Sequence, residues 1–280
     1  MSEMVSQNFI WLSVFALVIT FVLLAFVYFK EIKIIFSDKN LLVLLLSFPI
    51  VGLFSKTLSV TWILESRLNL SILLVVISLI TAFVFGLLTK IVLQMARGEK
   101  PNFFYALSSI KSWFASSVLA FGLGFGGNLL IFYLFSNSEF HIRAFLLLVW
   151  SAVTFTLYPL LITDKENIFY TLLRAFKITF FTVHKWFYLF LIIIFVSGEF
   201  LQLFPSSAAR VSWTGGYSFQ PIWFDLMIKS ADLSPTIATC IYVVVLFICS
   251  VTATLVKLKL TKTMIDLGYI SNNPSETLAR

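Results

Sequence analysis

Long stretches of uncharged, mostly apolar residues alternate with short polar segments along most of the chain. A helix crosses the roughly 30 Å hydrocarbon core of a bilayer with about 20 such residues. Five stretches reach about that length without a charged residue, and two more reach it if they include Lys56 or Glu199. We therefore predict seven membrane spans, at about residues 9–29, 41–64, 71–94, 112–136, 141–163, 186–204 and 234–256.

The predicted fold is all-α, a polytopic helical membrane protein in which residues 1–280 form a single transmembrane domain. In lipid every backbone N–H and C=O group must find a partner within the protein, and a helix supplies these partners itself. Pro49 and Gly52 interrupt the second span, so a re-entrant segment, leaving six spans, is an alternative. Residues 205–233 are predicted to form a long outer loop, anchored by its aromatic residues or serving as a partner-binding cap.

One amphipathic phrase occurs twice: residues 99–111 read EKPNFFYALSSIK, and residues 164–176 read DKENIFYTLLRAF. Large apolar residues recur in each copy at helical spacing, with basic residues beside them, which is typical of helices that lie along a membrane surface. These apolar positions are Phe103, Leu107, Ile110 and Phe114 in the first copy, and Phe169, Leu173, Phe176 and Phe180 in the second. We predict surface helices at about residues 102–111 and 166–180, with Asn102 and Asn167 as N-caps, and a shorter one at 30–39.

Each predicted surface helix lies between a span that enters the cytoplasm and a span that leaves it. The span–surface helix–span unit therefore repeats in parallel, with copies related by an axis along the membrane normal. The alternative is a chance similarity between two short segments, because the chain is rich in Phe and Lys.

Fifteen of the twenty Lys and Arg residues fall in loops on one side of the predicted membrane. The positive-inside rule assigns that side to the cytoplasm, which leaves the N-terminus outside and the C-terminus inside. We predict a multi-pass protein of the bacterial cytoplasmic (inner) membrane. The net charge of +7 then reflects topology and contact with the anionic inner leaflet, and we expect no nucleic-acid partner.

Composition excludes an ordinary water-soluble domain. Hydrophobic residues make up 60% of the chain, and charged residues make up 12%, about half the usual fraction in globular domains.

The passages LQMARGEKPNFFYALSSIKSWF and LYPLLITDKENIFYTLLRAFKITFFTVHKWF resemble a family of bacterial integral-membrane proteins. These are the YciC-like proteins and the membrane domains found beside glycerophosphodiester phosphodiesterases. The residues that carry the resemblance are Gly98, Pro101, Ala106, Leu107, Asp164, Leu172, Leu173 and Ala175. The resemblance covers about residues 70–205 and implies a membrane domain, with no catalytic residue to carry over.

The sequence shows no arrangement of residues typical of an active site or a metal site. His141 and His184, the two histidines, fall on opposite sides of the predicted membrane, and we predict no cofactor, no metal and no enzymatic activity. Gly122 and Gly126 are predicted to allow a close helix contact. Lys56, Asn128 and Glu199 are candidate polar residues at membrane depth, either lining a path or snorkelling and hydrogen-bonding between helices.

These observations favour a non-catalytic integral membrane subunit or scaffold that binds lipid and other membrane-protein subunits through its surface helices. A transport permease, with a polar path at Lys56, Asn128 and Glu199 and an ATPase docked on the surface helices, is the alternative. The predicted lipid or partner contacts are Lys100, Phe103, Phe104, Lys111, Lys165, Phe169, Arg174 and Lys177.

Overall fold

The structure is a computed structural model that describes residues 29–47, 67–135, 140–163, 167–182 and 235–272, with single positions at 19, 22, 23, 25 and 26. Nearly all of the predicted span at 9–29, most of that at 41–64, the whole of that at 186–204 and the outer loop at 205–233 lie outside these residues.

The described regular elements are helices, and no β-strand occurs among the described residues, in agreement with the all-α prediction. In chain order they are α1 (Phe29–Ser37), α2 (described over 39–47), α3 (Arg67–Ala96), α4 (Phe103–Ser108), α5 (Ile110–Leu134), α6 (Phe140–Thr163), α7 (Ile168–Lys177) with a π-helical turn at Ile178–Thr182, and α8 (Pro235–Asp266).

Two helices in the described part of the chain are long and apolar enough to cross a membrane. They are Ser78–Ala96 within α3 and Ile110–Ile131 within α5, and α6 adds a shorter apolar segment at Ala152–Thr163. These helices fall in the third and fourth predicted spans, so the seven-span arrangement remains a prediction.

Helices α3, α6 and α8 run in the same direction, and α5 runs against them. Near the C-terminal ends of these three helices, Lys257 of α8 donates a hydrogen bond to Thr89 of α3. At the same level, the ring centres of Tyr158 in α6 and Phe85 in α3 are 6.1 Å apart. The start of α5 lies at the same end, because its Trp113 packs against Gly86 of α3. We call this end, with α4 and α7, the basic end of the bundle.

Glycines at two positions let tryptophans approach neighbouring helices. A Cβ atom at Gly86 would stand 2.5 Å from the ring of Trp113, and one at Gly127 would overlap the ring of Trp150. Both indole N–H groups donate to backbone carbonyls, Trp113 to Ala106 at 2.8 Å and Trp150 to Gly124 at 3.0 Å.

Gly122 and Gly126 do not make the close helix contact within the described chain. Both lie on the exposed side of α5, where an added Cβ would meet no atom within 4 Å. The buried face of α5 includes Trp113, Ser117, Gly124 and Asn128, so the tight contacts occur at Gly86 and Gly127 instead.

The predicted N-caps of both surface helices are confirmed. The N–H of Tyr105 donates to Asn102 Oδ1 at 2.9 Å, and the N–H of Phe169 donates to Asn167 Oδ1 at 3.1 Å. The helices themselves are shorter than predicted, since α4 ends at Ser108 and α7 ends at Lys177 before the π-helical turn.

The two surface helices expose the same positions of the repeated phrase, and the stripe predicted for the first copy is wrong because it lies one residue out of register with the stripe of the second copy. Phe103, Ile110 and Phe114 are half-buried and pack against the core, because Trp113 holds α4 close to α5. The exposed aromatic residues of α4 are Phe104 and Tyr105. In the second copy Phe169, Leu173 and Phe180 are exposed as predicted, while Phe176 packs against Trp150.

Gly86→Ala is expected to lower the free energy of unfolding by about 1–3 kcal/mol, because the new methyl group overlaps the Trp113 ring. Gly122→Ala is the matched control, since it adds the same methyl group into open space and gains up to about 1 kcal/mol of helix propensity. Thermal unfolding in detergent, followed by tryptophan fluorescence, measures both. Equal midpoints for the two variants would contradict the packing described for Gly86.

Candidate functional site

The end of α8 is held by two arginines from other parts of the chain. Gly268, with φ of +73°, ends α8 in a Schellman turn, in which the N–H of Tyr269 donates to Met264 O at 2.8 Å. Arg97, directly after α3, donates from Nη2 to Ser271 O at 2.9 Å, and Arg174 of α7 donates from Nη2 to Tyr269 O at 2.6 Å. The guanidinium of Arg174 also lies 5.4 Å from the centre of the Tyr269 ring.

A third link joins α8 to α1. Lys262 Nζ lies 2.5 Å from Glu31 Oε1 in a partly buried ion pair. Burial, the largest single influence, raises the pKa of the Glu31 carboxyl, but the hydrogen bond and charge of Lys262, a backbone hydrogen bond and the charge of Lys30 outweigh it. The pKa of Glu31 therefore lies below its ordinary value, so the ionised carboxylate stabilises the fold.

Most of the predicted contact residues on the surface helices are exposed. Phe104 is 73% exposed and Phe169 is 65% exposed. The exposed basic residues among the predicted contacts are Lys100, Lys111 and Lys177. Phe103 and Arg174 were predicted as outward contacts and instead face the protein, Phe103 against the core and Arg174 against Tyr269. Lys165 lies outside the described residues.

Lys257 is the functional candidate that the sequence prediction missed, since it was assigned to a cytoplasmic loop. Helix α8 continues to Asp266, beyond the predicted end of the span at residue 256, and leaves Lys257 only 2% exposed. Its ammonium donates to Thr89 Oγ1 at 2.5 Å and lies 4.8 Å from the ring centre of Tyr158 and 5.7 Å from that of Phe155. Cation–π contacts and the hydroxyl thus replace part of its hydration.

A signal for this burial is present in the sequence. Thr254, Lys257 and Thr261 follow one another at steps of three and four, which places them on one helical face, and all three are buried. Charged residues normally mark the end of a span, so the lysines after residue 256 led to a predicted span end there, and the polar stripe was not recognised.

Asn128 lies within α5 and is only 3% exposed. Both its amide nitrogen and its amide oxygen are buried without a hydrogen-bond partner among the described residues. The other two predicted polar residues, Lys56 and Glu199, lie outside the described residues, so the structure does not bring the three together.

The chemistry available at the basic end is that of binding. Guanidinium, ammonium and exposed aromatic groups gather there, and these groups recognise anions and the headgroup region of a bilayer. The described residues contain no group of three or more His, Cys, Asp or Glu side chains arranged to hold a metal ion.

Glu31→Gln is expected to remove a stability contribution that depends on pH. The pKa of Glu31 in the folded protein lies below its ordinary value. The contribution of the ion pair to stability is therefore fully present at a pH above the ordinary pKa, and it is lost as the pH falls through the folded pKa. We expect the unfolding midpoint of the wild type to exceed that of Glu31→Gln at pH 7, by an amount corresponding to about 0.5–1 kcal/mol, and the two to converge in acid, once Glu31 is protonated in the folded protein.

Asp266→Asn is the control for this measurement, because it neutralises an exposed acid at the end of α8, the helix that carries Lys262. A difference between wild type and Glu31→Gln that stays constant from pH 7 to pH 3 would contradict the role given to the ion pair.

Comparison with protein-family models, curated proteins and solved structures finds no match to this chain.

Proposed function

We propose that this chain is a non-catalytic subunit or scaffold of the bacterial cytoplasmic membrane that contacts anionic lipid and partner subunits through α4 and α7. In this proposal the chain crosses the membrane seven times, its N-terminus is outside, and the basic end of the bundle faces the cytoplasm. The resemblance to the YciC-like membrane proteins agrees with it.

The observation that carries the proposal is the paired arrangement of aromatic residues on the two surface helices. Phe104 and Tyr105 on α4 correspond in the repeated phrase to Phe169 and Tyr170 on α7, and all four are exposed. The residues that follow, Ala106 and Thr171, are both buried. Each helix therefore packs one side against the bundle and presents large aromatic groups on the other.

Exposed aromatic residues in this arrangement fit the boundary between acyl chains and headgroups. A phenyl ring there removes apolar surface from water, and a tyrosine keeps its hydroxyl at headgroup level. Lys100, Lys111 and Lys177 are exposed at the same end of the bundle, and each adds about 1 kcal/mol of attraction to an anionic leaflet. Aromatic and basic groups thus favour the same surface.

The depth of these residues in the bilayer tests the proposal. In a chain with Cys240 and Cys249 replaced by Ser, single cysteines at Phe104 and Phe169 carry a fluorophore, in nanodiscs of phosphatidylglycerol with brominated acyl chains. We expect strong quenching at both positions, because bromine quenches only at close range. The matched controls are Lys100→Cys, just before α4, and Lys177→Cys, at the end of α7. Both are expected to show weak quenching.

Equal quenching at all four positions, or none at positions 104 and 169, would contradict the proposed contact with the acyl boundary. If those two probes are shielded from bromine only when the protein is purified from native membranes, a partner subunit covers them, which supports the scaffold role without the lipid contact.

A permease is the second candidate, and Asn128 is the observation that favours it. A buried amide with both polar atoms unpaired is costly in a membrane helix and is a frequent feature of transport paths. Purification from native membranes and mass determination of the intact particle distinguish the two functions. A stoichiometric ATPase would favour the permease, and a partner without ATPase activity would favour the subunit.

A further inference from the structure

A group of positive charges is partly buried where α3 ends. Arg97 lies directly after α3, and Lys90 lies two helical turns earlier on the same face of that helix. The two side chains are close enough for their charges to repel. Arg174 reaches the same place from α7, since it binds Tyr269 O while Arg97 binds Ser271 O two residues later.

Only some of the N–H groups of the Arg97 guanidinium donate hydrogen bonds within the described part of the chain. Nη2 donates to Ser271 O, but Nε is sealed from solvent and has no acceptor among the described residues. Glu99 and Tyr105 are its other electrostatic neighbours, and the Glu99 side chain points to solvent without forming an ion pair with Arg97 in the described part of the chain. A guanidinium in this position lacks an anion that would use its fork of donors.

We propose that Lys90 and Arg97, with Arg174 at the side, bind the phosphate of an anionic phospholipid headgroup. The inference rests on the proposed membrane location and adds a specific lipid site to it. Arg97 supplies the charge of its guanidinium and the donors that Ser271 O does not use, and Lys90 supplies a compact charge, a pair of groups suited to phosphate.

The position of the site along the bundle matches a headgroup. The apolar segment Ser78–Ala96 ends immediately before Arg97, so Arg97 lies where the acyl region of a bilayer gives way to phosphate groups. Lysines near span ends extend their side chains towards the headgroup level, and the charge of Lys90 is close enough to that of Arg97 to interact with it. Tyr105, exposed beside Arg97, supplies an aromatic group for the same region.

The test uses the full chain in micelles of a zwitterionic detergent, in which thermal unfolding is followed during titration with phosphatidylglycerol or phosphatidylcholine. For the wild type we expect phosphatidylglycerol to raise the unfolding midpoint at lower concentration than phosphatidylcholine. Arg97→Gln and Lys90→Gln are expected to weaken the apparent affinity for phosphatidylglycerol about tenfold each, the loss typical of a charge-assisted hydrogen bond.

Lys177→Gln is the matched control, because it removes one exposed charge from the basic end without touching the site, and we expect its affinity to stay within about twofold of the wild type. Lys90→Gln removes a site charge without breaking the link between Arg97 and Ser271, so it keeps the test valid if Arg97→Gln does not fold. Arg97→Lys, which keeps the charge and loses the fork, is expected to recover only part of the affinity.

A second titration with inorganic phosphate, at ionic strength matched with chloride, separates the two sources of phosphate. If inorganic phosphate alone raises the midpoint and phosphatidylglycerol adds nothing, the lipid assignment is overturned in favour of a free phosphate ion. If Lys90→Gln binds phosphatidylglycerol like the wild type, or Lys177→Gln loses as much as Arg97→Gln, the site is overturned.

Failure of the membrane location itself would look different. Release of the chain from native membranes by an alkaline wash would contradict the proposed function, whereas a chain that stays in the membrane but shows no preference for phosphatidylglycerol contradicts only this site.

Discussion

The last carbonyl groups of α8 have no partners within their own helix, and this constraint organises the basic end of the bundle. The glycine turn at Gly268 satisfies the carbonyls of Met264 and Ile265, and Arg97 and Arg174 bind carbonyls of the segment that follows the turn. These two arginines belong to the end of α3 and to α7, so the segment that ends α8 is also linked to two other helices. The ion pair between Lys262 and Glu31 extends the same linkage to α1.

Inside the bundle, several polar side chains are accommodated by local hydrogen bonds. Thr89, Thr156, Thr163, Thr179 and Thr261 each donate to the carbonyl four residues earlier in their own stretch of helix. Thr89 can then accept from Lys257, which links α8 to α3 while two aromatic rings of α6 contact the same ammonium. Asn128 is an exception, because its amide finds no such partner in the described chain.

A surface helix that is fixed on one side is suited to binding on the other. The indole of Trp113 holds α4, and Arg174 together with Ala175 and Thr171 fixes α7 on its inner side. In the proposed function, the aromatic residues that remain outside are held in position before binding, which lowers the entropy lost on binding. Arg97 and Lys90 lie on one face at the end of an apolar segment of α3, where we propose the phosphate site.

Local patterns in the sequence determined the helices and their Asn102 and Asn167 caps, because propensity, capping and hydrophobic period act over a few residues. The stripe read from the apolar residues of α4 faces inward instead, since Phe103 packs against the core and the indole of Trp113 donates to Ala106 O on that side. Burial of Lys257 and the approach of Arg97 to Ser271 join residues far apart in the chain. Contacts of this kind depend on how helices pack, and only the tertiary structure decides them.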